Sequence, residues 1–184
     1  MPTHARERLV RAAEELFYTE GIHAVGVERL LSASGVGRAS FYRHFAGKDD
    51  LVATVLRERD ASWRQALAEE VAARGNGPLD VFDVMAGRYQ SGDFHGCSFI
   101  NAMAEIGDRD HTVYAMANEH KRAVADYFKE LLRIPGPEGE ELAQSLVLLL
   151  DGATVTALRD RSPEPALRAK AMAALLLREH AENQ

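Results

Sequence analysis

The chain has 184 residues, of which 46% are hydrophobic and 27% are charged, a composition typical of a globular protein with a substantial core. No apolar run approaches the ~20 residues that span a bilayer, and the run that follows Ser145 ends at Asp151. The first residues show no signal-peptide pattern, and the single cysteine excludes an intrachain disulfide framework and a cysteine-rich zinc site. We therefore expect a cytoplasmic protein that does not enter a membrane.

The net charge of −6 is unevenly distributed along the chain. Acidic and basic residues balance up to Asp50, so the excess negative charge lies after that residue. Within 28–48 a single acid, Glu28, is opposed by four bases: Arg29, Arg38, Arg43 and Lys48. A basic face on an acidic body suits contact with nucleic acid at one end, because salt screens phosphate attraction over about 10 Å. Ordinary variation in charge along the sequence is the alternative explanation.

The hydrophobic spacing predicts helices along the whole chain, and we find no alternating strand pattern of useful length. The first helix is predicted to begin after Thr3, its N-cap, and to end at Gly21. Its apolar residues recur at the spacing of a helix that packs on one face: Leu9, Ala12, Ala13, Leu16 and Phe17.

Eight further helices are predicted, at about 27–34, 37–46, 49–74, 79–91, 99–107, 112–133, 140–160 and 164–181. The segment Pro135–Gly139 is predicted as a break before the last two helices. We therefore expect an all-α fold of about nine helices. It would comprise an N-terminal three-helix domain over residues 1–50 and a helical domain over residues 51–184.

The second and third predicted helices, joined by Gly35-Val36-Gly37, have the arrangement of a helix-turn-helix. In the second helix and the turn, we expect four residues to pack inward: Leu30, Leu31, Ala33 and Val36. In the third helix, Phe41 and Phe45 stand four residues apart and are predicted core anchors.

The opposite face of the third helix has the composition of a DNA-reading surface. Small and basic residues occupy its centre, and hydrogen-bonding residues occupy its flanks: Ala39, Ser40 and Arg43, with Tyr42 and His44. Arg38 begins the helix, where it can reach a base edge, and Lys48 opens the next helix, whose first turn favours a phosphate. For Tyr42 and His44, the alternative is that they are exposed helix residues without a role.

Gly21–Leu51 resembles the TetR family of bacterial regulators, most closely over Gly35–Leu51, which reads GVGRASFYRHFAGKDDL. With the preceding helix, the resemblance covers 9–52, about a quarter of the chain. It implies phosphate contacts from Tyr42, His44 and Lys48. It also implies that a second set of residues faces or flanks the bases: Arg38, Ala39, Ser40 and Arg43. Val27 and Gly37 are assigned to the same DNA-binding surface.

Two positions depart from the family pattern. Gly26 and Gly37 stand where the family usually has a Ser or Thr that caps the second and third helices. Each absent hydroxyl can remove a phosphate contact or a cap worth ~1 kcal/mol, although glycine is a tolerable N-cap. The departures bear on affinity and not on the family assignment.

The last two predicted helices carry apolar residues at helical spacing: Leu142, Leu146, Leu149, Leu150, Ala153 and Ala157, then Leu167, Ala171, Ala174 and Leu175. Gly152 and Ala153 permit close helix approach. These faces can form the core of one chain, or a four-helix bundle to which each of two chains gives two helices. The resemblance implies a homodimer through these helices, and a symmetric operator requires two half-sites.

The segment Gly96–Glu105, GCSFINAMAE, resembles a Gly-Cys-x-x-x-Asn-Ala segment of one branch of the family, where it lies beside the effector cavity. We predict a cavity for a small apolar or mixed-polarity effector, with Arg88, Asn101 and His120 as polar anchors. Its predicted lining is Met85, Arg88, Tyr89, Cys97, Phe99, Asn101, Met103, Ile106, Tyr114, His120, Tyr127 and Phe128. The alternative is that the methionine and aromatic residues simply fill the core.

Cys97 has two interpretations. It can be a small buried hydrophobe, or a thiol that senses oxidants or electrophiles, which would need a nearby positive charge or a helix N-terminus. No Lys or Arg lies near it in sequence. His95, His111 and His120 with Asp93 follow no known spacing of metal ligands, so we predict neither a metal nor a cofactor.

These observations predict a ligand-responsive transcriptional regulator, a repressor, that binds a palindromic DNA operator as a homodimer. Effector binding would move the fourth helix and release the DNA. An enzyme is not expected, because no nucleophile–base–orienter set, phosphate loop or suitably spaced carboxylate pair occurs. The alternatives are a helical small-molecule-binding protein, and a regulator that senses redox state through Cys97.

Overall fold

The computed structural model describes residues 4–108 and 111–182, and within these ranges it contains nine helices and no strand. The helices are α1 (Ala5–Thr19), α2 (Val27–Ser34), α3 (Arg38–His44), α4 (Lys48–Ala72), α5 (Asp80–Tyr89), α6 (Ser98–Glu105), α7 (Thr112–Leu132), α8 (Gly136–Asp160) and α9 (Glu164–Glu182). The all-α prediction is confirmed. Thr3, the predicted N-cap of α1, lies outside the described residues.

The start of α8 differs most from its predicted position. The helix begins at Gly136, whereas the sequence predicted a break as far as Gly139. Pro135 is the N-cap in an extended conformation, and Pro137 lies in the first turn. Proline suits a first turn, because its fixed φ is helical and the N–H that it lacks would have no partner there. Pro137 therefore fits within the first turn of α8, and the segment from Pro135 to Gly139 does not form a longer loop.

The described chain divides into two compact units. The first comprises the described residues up to Ser62 together with those of 98–118, and the second comprises Trp63–Cys97 and the described residues from Glu119 onward. The division falls within α4, whose first turns contribute buried apolar residues to the first unit: Leu51, Val52, Val55 and Leu56. The domain boundary predicted after residue 50 lies inside this unit, and the functional division at that point stays a prediction.

The core of the first unit is built on the apolar stripe of α1. Leu9, Ala13, Leu16 and Phe17 are buried, as the spacing predicted, and Ala12 is half-buried. In α2, Leu30 is buried, but Ala33 is exposed, so its predicted inward position was wrong. Ser34 is buried in its place, because residues four apart in a helix share a face with Leu30. Its Oγ donates to the Leu31 carbonyl at 3.4 Å.

The core of the second unit joins residues of α4, α5, α7, α8 and α9. In α8, Leu142, Leu146 and Leu150 are buried, as expected. In α9 the buried face consists of small residues instead: Ala166, Ala169 and Ala173. Small side chains let helices approach closely, and α9 packs along α8 and α5. The leucines of α9 consequently lie on its other side.

One described helix, α8, is long and apolar enough to cross a membrane by length and composition alone. The core helix of a soluble protein satisfies the same test, and 44% of the apolar stretch in α8 is buried inside the protein. The helix is therefore weak evidence for a membrane segment.

Candidate nucleic-acid interface

The turn between α2 and α3 is closed by backbone hydrogen bonds. Gly35 has a left-handed conformation, with φ of 63°, and its N–H donates to the Leu31 carbonyl. The Val36 N–H also donates to the Leu31 carbonyl, at 3.3 Å, and the Val36 side chain is buried. Glycine is favoured at such a position, because a Cβ disfavours positive φ. The turn thus sets the direction in which α3 leaves α2.

Glycines cap both helices of this motif. Gly26 and Gly37 have extended backbones, and the Gly37 carbonyl accepts the N–H groups of Ser40 and Phe41 at 2.9 and 3.0 Å. Neither cap has a side-chain hydrogen bond. No other side chain therefore replaces the Ser or Thr hydroxyl that is absent at each cap.

The helix α3 separates a buried face from an exposed one. Phe41 and Phe45 are 0% and 3% exposed, with their ring centroids 6.0 Å apart, which confirms them as core residues. Tyr42 is 52% exposed, and its ring meets that of Phe41 edge-on at 5.0 Å. The remaining predicted DNA-binding residues of this helix are exposed except for the half-buried Ser40: Arg38, Ala39, Arg43 and His44. The predicted reading face is thus free of the core.

The predicted DNA contacts outside α3 lie at the starts of its neighbours. Val27, the first residue of α2, and Lys48, the first residue of α4, are both half-buried. Asp50 fixes the approach to α4, since its carboxylate accepts the Ala46 N–H at 3.0 Å. Sequence reasoning missed this role of Asp50, although an acid in the first turn of a helix is a recognisable signal.

Arg38 has a partner that the sequence did not reveal. Its guanidinium forms an ion pair with Glu28 of α2, and both side chains are exposed. An exposed pair of this kind is worth only about 0–1 kcal/mol, so it does not prevent Arg38 from taking another acceptor. The single acid of the basic segment therefore lies on the same surface as the predicted base contacts.

Within the first unit, α6 contacts the loop that leads into α2. The carboxylate of Glu105, the last residue of α6, accepts the His23 N–H at 2.6 Å. A Cβ at Gly21, where φ is 91°, would lie 3.1 Å from the same carboxylate oxygen. Glycine at this position thus provides both the backbone conformation and the space for Glu105. A separate contact joins His111, which directly precedes α7, to the start of α4: its Nε2 lies 3.7 Å from the Asp49 carboxylate.

The residues predicted to bind an effector are divided between the two units. Those of the first unit lie on α6, directly after it or, for Tyr114, in the first turn of α7: Phe99, Asn101, Met103, Ile106 and Tyr114. Asn101, Ser98 and Glu105 line a cavity of about 20 Å³, which is room for about one water molecule. The Tyr114 hydroxyl donates to the carbonyls of Met103 and Ile106, at 3.1 and 3.0 Å, and so closes the end of α6.

The effector residues predicted in the second unit are Met85, Arg88, Tyr89, Cys97, His120, Tyr127 and Phe128. Met85, Tyr89 and Phe128 belong to its hydrophobic core. The predicted anchors Arg88 and His120 both meet Trp63, which sequence reasoning missed. The Arg88 guanidinium lies 5.5 Å from the Trp63 ring centroid and donates to Glu70 at 2.7 Å. The ring of the buried His120 lies 5.4 Å from that of Trp63.

Cys97 has a basic neighbour in space, although none was evident from the sequence. Lys121 Nζ lies 3.9 Å from Cys97 Sγ and forms an ion pair with Asp151. The Tyr89 hydroxyl is hydrogen-bonded to Thr154 at 2.6 Å, and burial raises the pKa of the Tyr89 phenol. Cys97 is half-buried. A basic group therefore lies beside the thiol, which the sequence did not reveal.

Large apolar side chains of α8 and α9 are exposed on the second unit. Leu148 and Leu175 are the most exposed of them, at 75% and 57%, and the full set is Leu148, Val155, Leu158, Leu167, Met172 and Leu175. The predicted α9 residues Leu167, Ala171 and Leu175 belong to or border this surface and not the core of the chain. We call these exposed side chains the α8–α9 face.

Among the described residues, the histidines considered above, His95, His111 and His120, belong to no cluster of possible metal ligands. In the ranges 4–108 and 111–182, no group of three or more His, Cys, Asp or Glu side chains is arranged to hold a metal ion.

The chain is similar to known regulators over most of its length. The sequence profile of "Bacterial regulatory proteins, tetR family" matches residues 9–55. A TetR-family transcriptional regulator from Streptomyces coelicolor is 34% identical, with 97% of this chain and 91% of that one covered and a TM-score of 0.84. A putative TetR transcriptional regulator from Streptomyces avermitilis is 30% identical, with 95% and 97% covered and a TM-score of 0.82.

Curated relatives agree with this assignment. An HTH-type transcriptional regulator of Mycobacterium tuberculosis is 30% identical over 177 residues, which are 86% of this chain and 87% of that protein. The regulator TcmR of Streptomyces glaucescens is 34% identical over 95 residues, but the match covers only 50% of this chain and 41% of TcmR. These relatives are transcriptional regulators and not enzymes, and they confirm the resemblance of Gly21–Leu51. The chain belongs to the TetR family of DNA-binding transcriptional regulators.

Proposed function

We propose that this regulator is a ligand-responsive repressor that acts in the cytoplasm, binds a palindromic operator as a homodimer and is released by a small-molecule effector. Residues 1–50 would bind DNA, and residues 51–184 would bind the effector and dimerise. The observation that carries the DNA contact is the exposed face of α3, held outward by the buried rings of Phe41 and Phe45. A rigid support of this kind fits a helix that enters the major groove.

We assign different roles to the centre and the edges of this surface. Tyr42, His44 and Lys48 would bind phosphates, because hydroxyl, imidazole and ammonium groups at the edge of a groove meet the backbone first. The residues at or beside the bases would be Val27, Gly37, Arg38, Ala39, Ser40 and Arg43. Small residues permit close approach, and a guanidinium can donate two hydrogen bonds to guanine.

Two substitutions separate these roles. Lys48→Ala is expected to weaken binding to all sequences alike and to lower the salt slope by about one for each reading head, since one phosphate contact is lost. Arg43→Ala is expected to cost about 1–3 kcal/mol at each half-site and to relax base preference at the position that it reads. The measurement selects preferred sites from a pool of randomised duplexes and then compares affinities for selected and random DNA.

Two results would contradict the roles assigned to Arg43 and Lys48. If Arg43→Ala lost equal affinity on selected and random DNA, Arg43 would be a phosphate contact and not a base contact. If Lys48→Ala changed base preference, Lys48 would be a base contact and not a phosphate contact.

The α8–α9 face supports the homodimer. Scattered exposed leucines are ordinary, but here the large exposed apolar residues of α8 and α9 lie on two helices that pack against each other. A second copy offers the same two helices, so a two-fold axis would join them as a four-helix bundle. Two reading heads on one axis fit the two half-sites of a palindrome.

The contacts of α6 support the proposed effector response. Phe99, Asn101 and Met103 are predicted effector contacts, and the same helix ends in Glu105, whose carboxylate holds the His23 N–H before α2. An effector that shifts α6 or the adjoining turns of α4 would therefore disturb the support of the reading head. This is allostery only if effector and DNA lower each other's affinity by the same factor. An effector that binds the free protein and the DNA-bound protein with equal affinity would contradict the mechanism.

A second candidate function is redox or electrophile sensing by Cys97. The observation that favours it is the ammonium group of Lys121 at 3.9 Å from the thiol sulfur, because a positive charge favours the reactive thiolate. The ion pair with Asp151 reduces this effect.

The test of Cys97 uses the substitution Cys97→Ser. If the thiol is the sensor, an oxidant or a thiol-alkylating reagent such as N-ethylmaleimide releases DNA from the unsubstituted protein but not from the variant. Equal release from both proteins, measured by fluorescence anisotropy of labelled duplex, would rule out sensing at Cys97.

A further inference from the structure

A basic groove lies between α1 and α3 in the first unit. It has a volume of about 420 Å³, and its lining includes Arg8 of α1, Gly37 before α3, and Ser40, Arg43 and His44 of α3. All four of these residues at or before α3 were assigned to DNA from the sequence, whereas α1 was expected only to pack. The groove therefore brings a cation from a different helix to the predicted reading surface.

The charges of the groove point to an anionic ligand. No carboxylate is among the residues that line it, and neither Arg8 nor Arg43 has a carboxylate partner in the described part of the chain. Other arginines of the same unit do have such partners, in the pairs Arg6–Glu58, Arg29–Glu20, Arg38–Glu28 and Arg59–Glu14. Two guanidinium groups on one groove repel each other unless an anion lies between them, and both are exposed.

The glycine cap of α3 gives Arg8 a role in binding phosphate. Gly37 lines the groove and brings no hydroxyl group, so the hydrogen bond that Ser or Thr could donate to a phosphate at this edge is absent. Arginine donates several hydrogen bonds to phosphate oxygens and carries a permanent positive charge. Arg8 can therefore replace a weak neutral contact by a charged one.

We propose that this groove binds a phosphodiester of the DNA backbone beside the bases read by α3, and that Arg8 is its ligand from α1. The proposal rests on the function proposed above and extends the DNA-binding surface to a helix that was assigned only to the core. Arg8 then positions the duplex without reading its sequence, because a phosphate is the same at every base pair.

The test compares Arg8→Gln with the matched control Arg11→Gln. Arg11 lies on α1 one turn further, is exposed and lacks a carboxylate partner among the described residues, but it does not line the groove. Glutamine keeps a high helix propensity in both variants, and equal thermal melts verify that both remain folded. The measurement is the affinity for randomised duplex DNA over a series of salt concentrations.

Arg8→Gln is expected to weaken binding and to make the slope of log K against log salt shallower by about 0.9 for each reading head. Arg11→Gln is expected to leave that slope unchanged, and base preference should be the same in both. Equal slopes for the two variants would overturn the proposal while leaving the proposed function intact. If the unsubstituted protein showed no salt-dependent binding, the proposed function itself would fail.

A free anion is distinguished from DNA by calorimetry with inorganic phosphate. We expect no heat of binding to the free protein at millimolar phosphate, because a single small anion lacks the counterion release that drives polyanion binding. Binding that disappears in Arg8→Gln would assign the groove to a free anion and overturn the proposal.

Discussion

Leu148→Glu is expected to produce a folded monomer that binds a palindromic duplex at least about 100-fold more weakly than the dimer, because linked reading heads gain about 10²–10⁴ in avidity. Leu148 is 75% exposed on α8, so a carboxylate there meets water in the monomer. In the proposed four-helix bundle the carboxylate would be taken out of water against the apolar side chains of the partner's α8–α9 face, which is unfavourable. The substitution therefore acts on association and not on the fold of one chain.

The measurement combines sedimentation equilibrium with binding to a palindromic duplex selected by the unsubstituted protein. Ala115→Glu is the matched control, since it adds the same charge at an exposed site on α7. We expect the control to remain dimeric and to bind normally. A Leu148→Glu variant that remained a dimer with unchanged affinity would show that the α8–α9 face is not the interface.

Phe41→Ala is expected to lower the free energy of unfolding by about 3–5 kcal/mol, the usual cost of removing a large buried aromatic ring. Its side chain is fully buried, and its ring supports that of Tyr42. Because this residue anchors α3, DNA binding should be lost at temperatures where the first unit unfolds. Urea denaturation followed by circular dichroism measures the change in stability.

At the neighbouring Tyr42, a substitution is expected to change DNA affinity and to leave stability nearly unchanged. Tyr42→Phe removes one exposed hydroxyl, so stability should change by no more than about 0.5 kcal/mol. DNA affinity should fall by about 1.5–3 kcal/mol at each half-site if that hydroxyl binds a phosphate. Full affinity in Tyr42→Phe would contradict the phosphate contact. A folded Phe41→Ala variant with unchanged stability would contradict the division of α3 into two faces.

Local signals explain why much of the fold could be predicted. Gly35 ends α2 because its left-handed backbone favours glycine, and this requirement is visible in the sequence. Phe41 and Phe45 stand four residues apart, which places them on one face of any helix. The burial of Phe41 and the exposure of Tyr42 follow from this period, whereas Phe45 is buried although it follows the last helical residue and has an extended backbone.

Contacts between distant residues could not be predicted in this way. Glu105 meets the His23 N–H across 82 residues of sequence, and Lys121 approaches Cys97 across 24. Helical spacing determines which residues share a face but not what that face meets. For the same reason, the apolar spacing of α9 did not reveal that Leu167 and Leu175 lie outside the core.

Two further features could not be predicted from the sequence: the start of α8 within a proline-rich segment, and the groove beside α3. Pro135 and Pro137 both interrupt helices in general, but at a first turn proline is favourable, and the position of the turn depends on packing. Arg8 was indistinguishable from Arg11 in sequence, because each is an exposed base on α1. Only the packing of α1 against α3 brings Arg8 to the predicted DNA surface.

The central claim is that the exposed face of α3 and its neighbours binds the DNA backbone. The most direct test is the salt dependence of binding of the unsubstituted protein to random-sequence duplex DNA. We predict that log K falls linearly with log salt, with a slope of about −0.9 for each phosphate contact and several contacts in the dimer. An affinity that does not change with salt, or no binding to duplex DNA at low salt, would contradict this account.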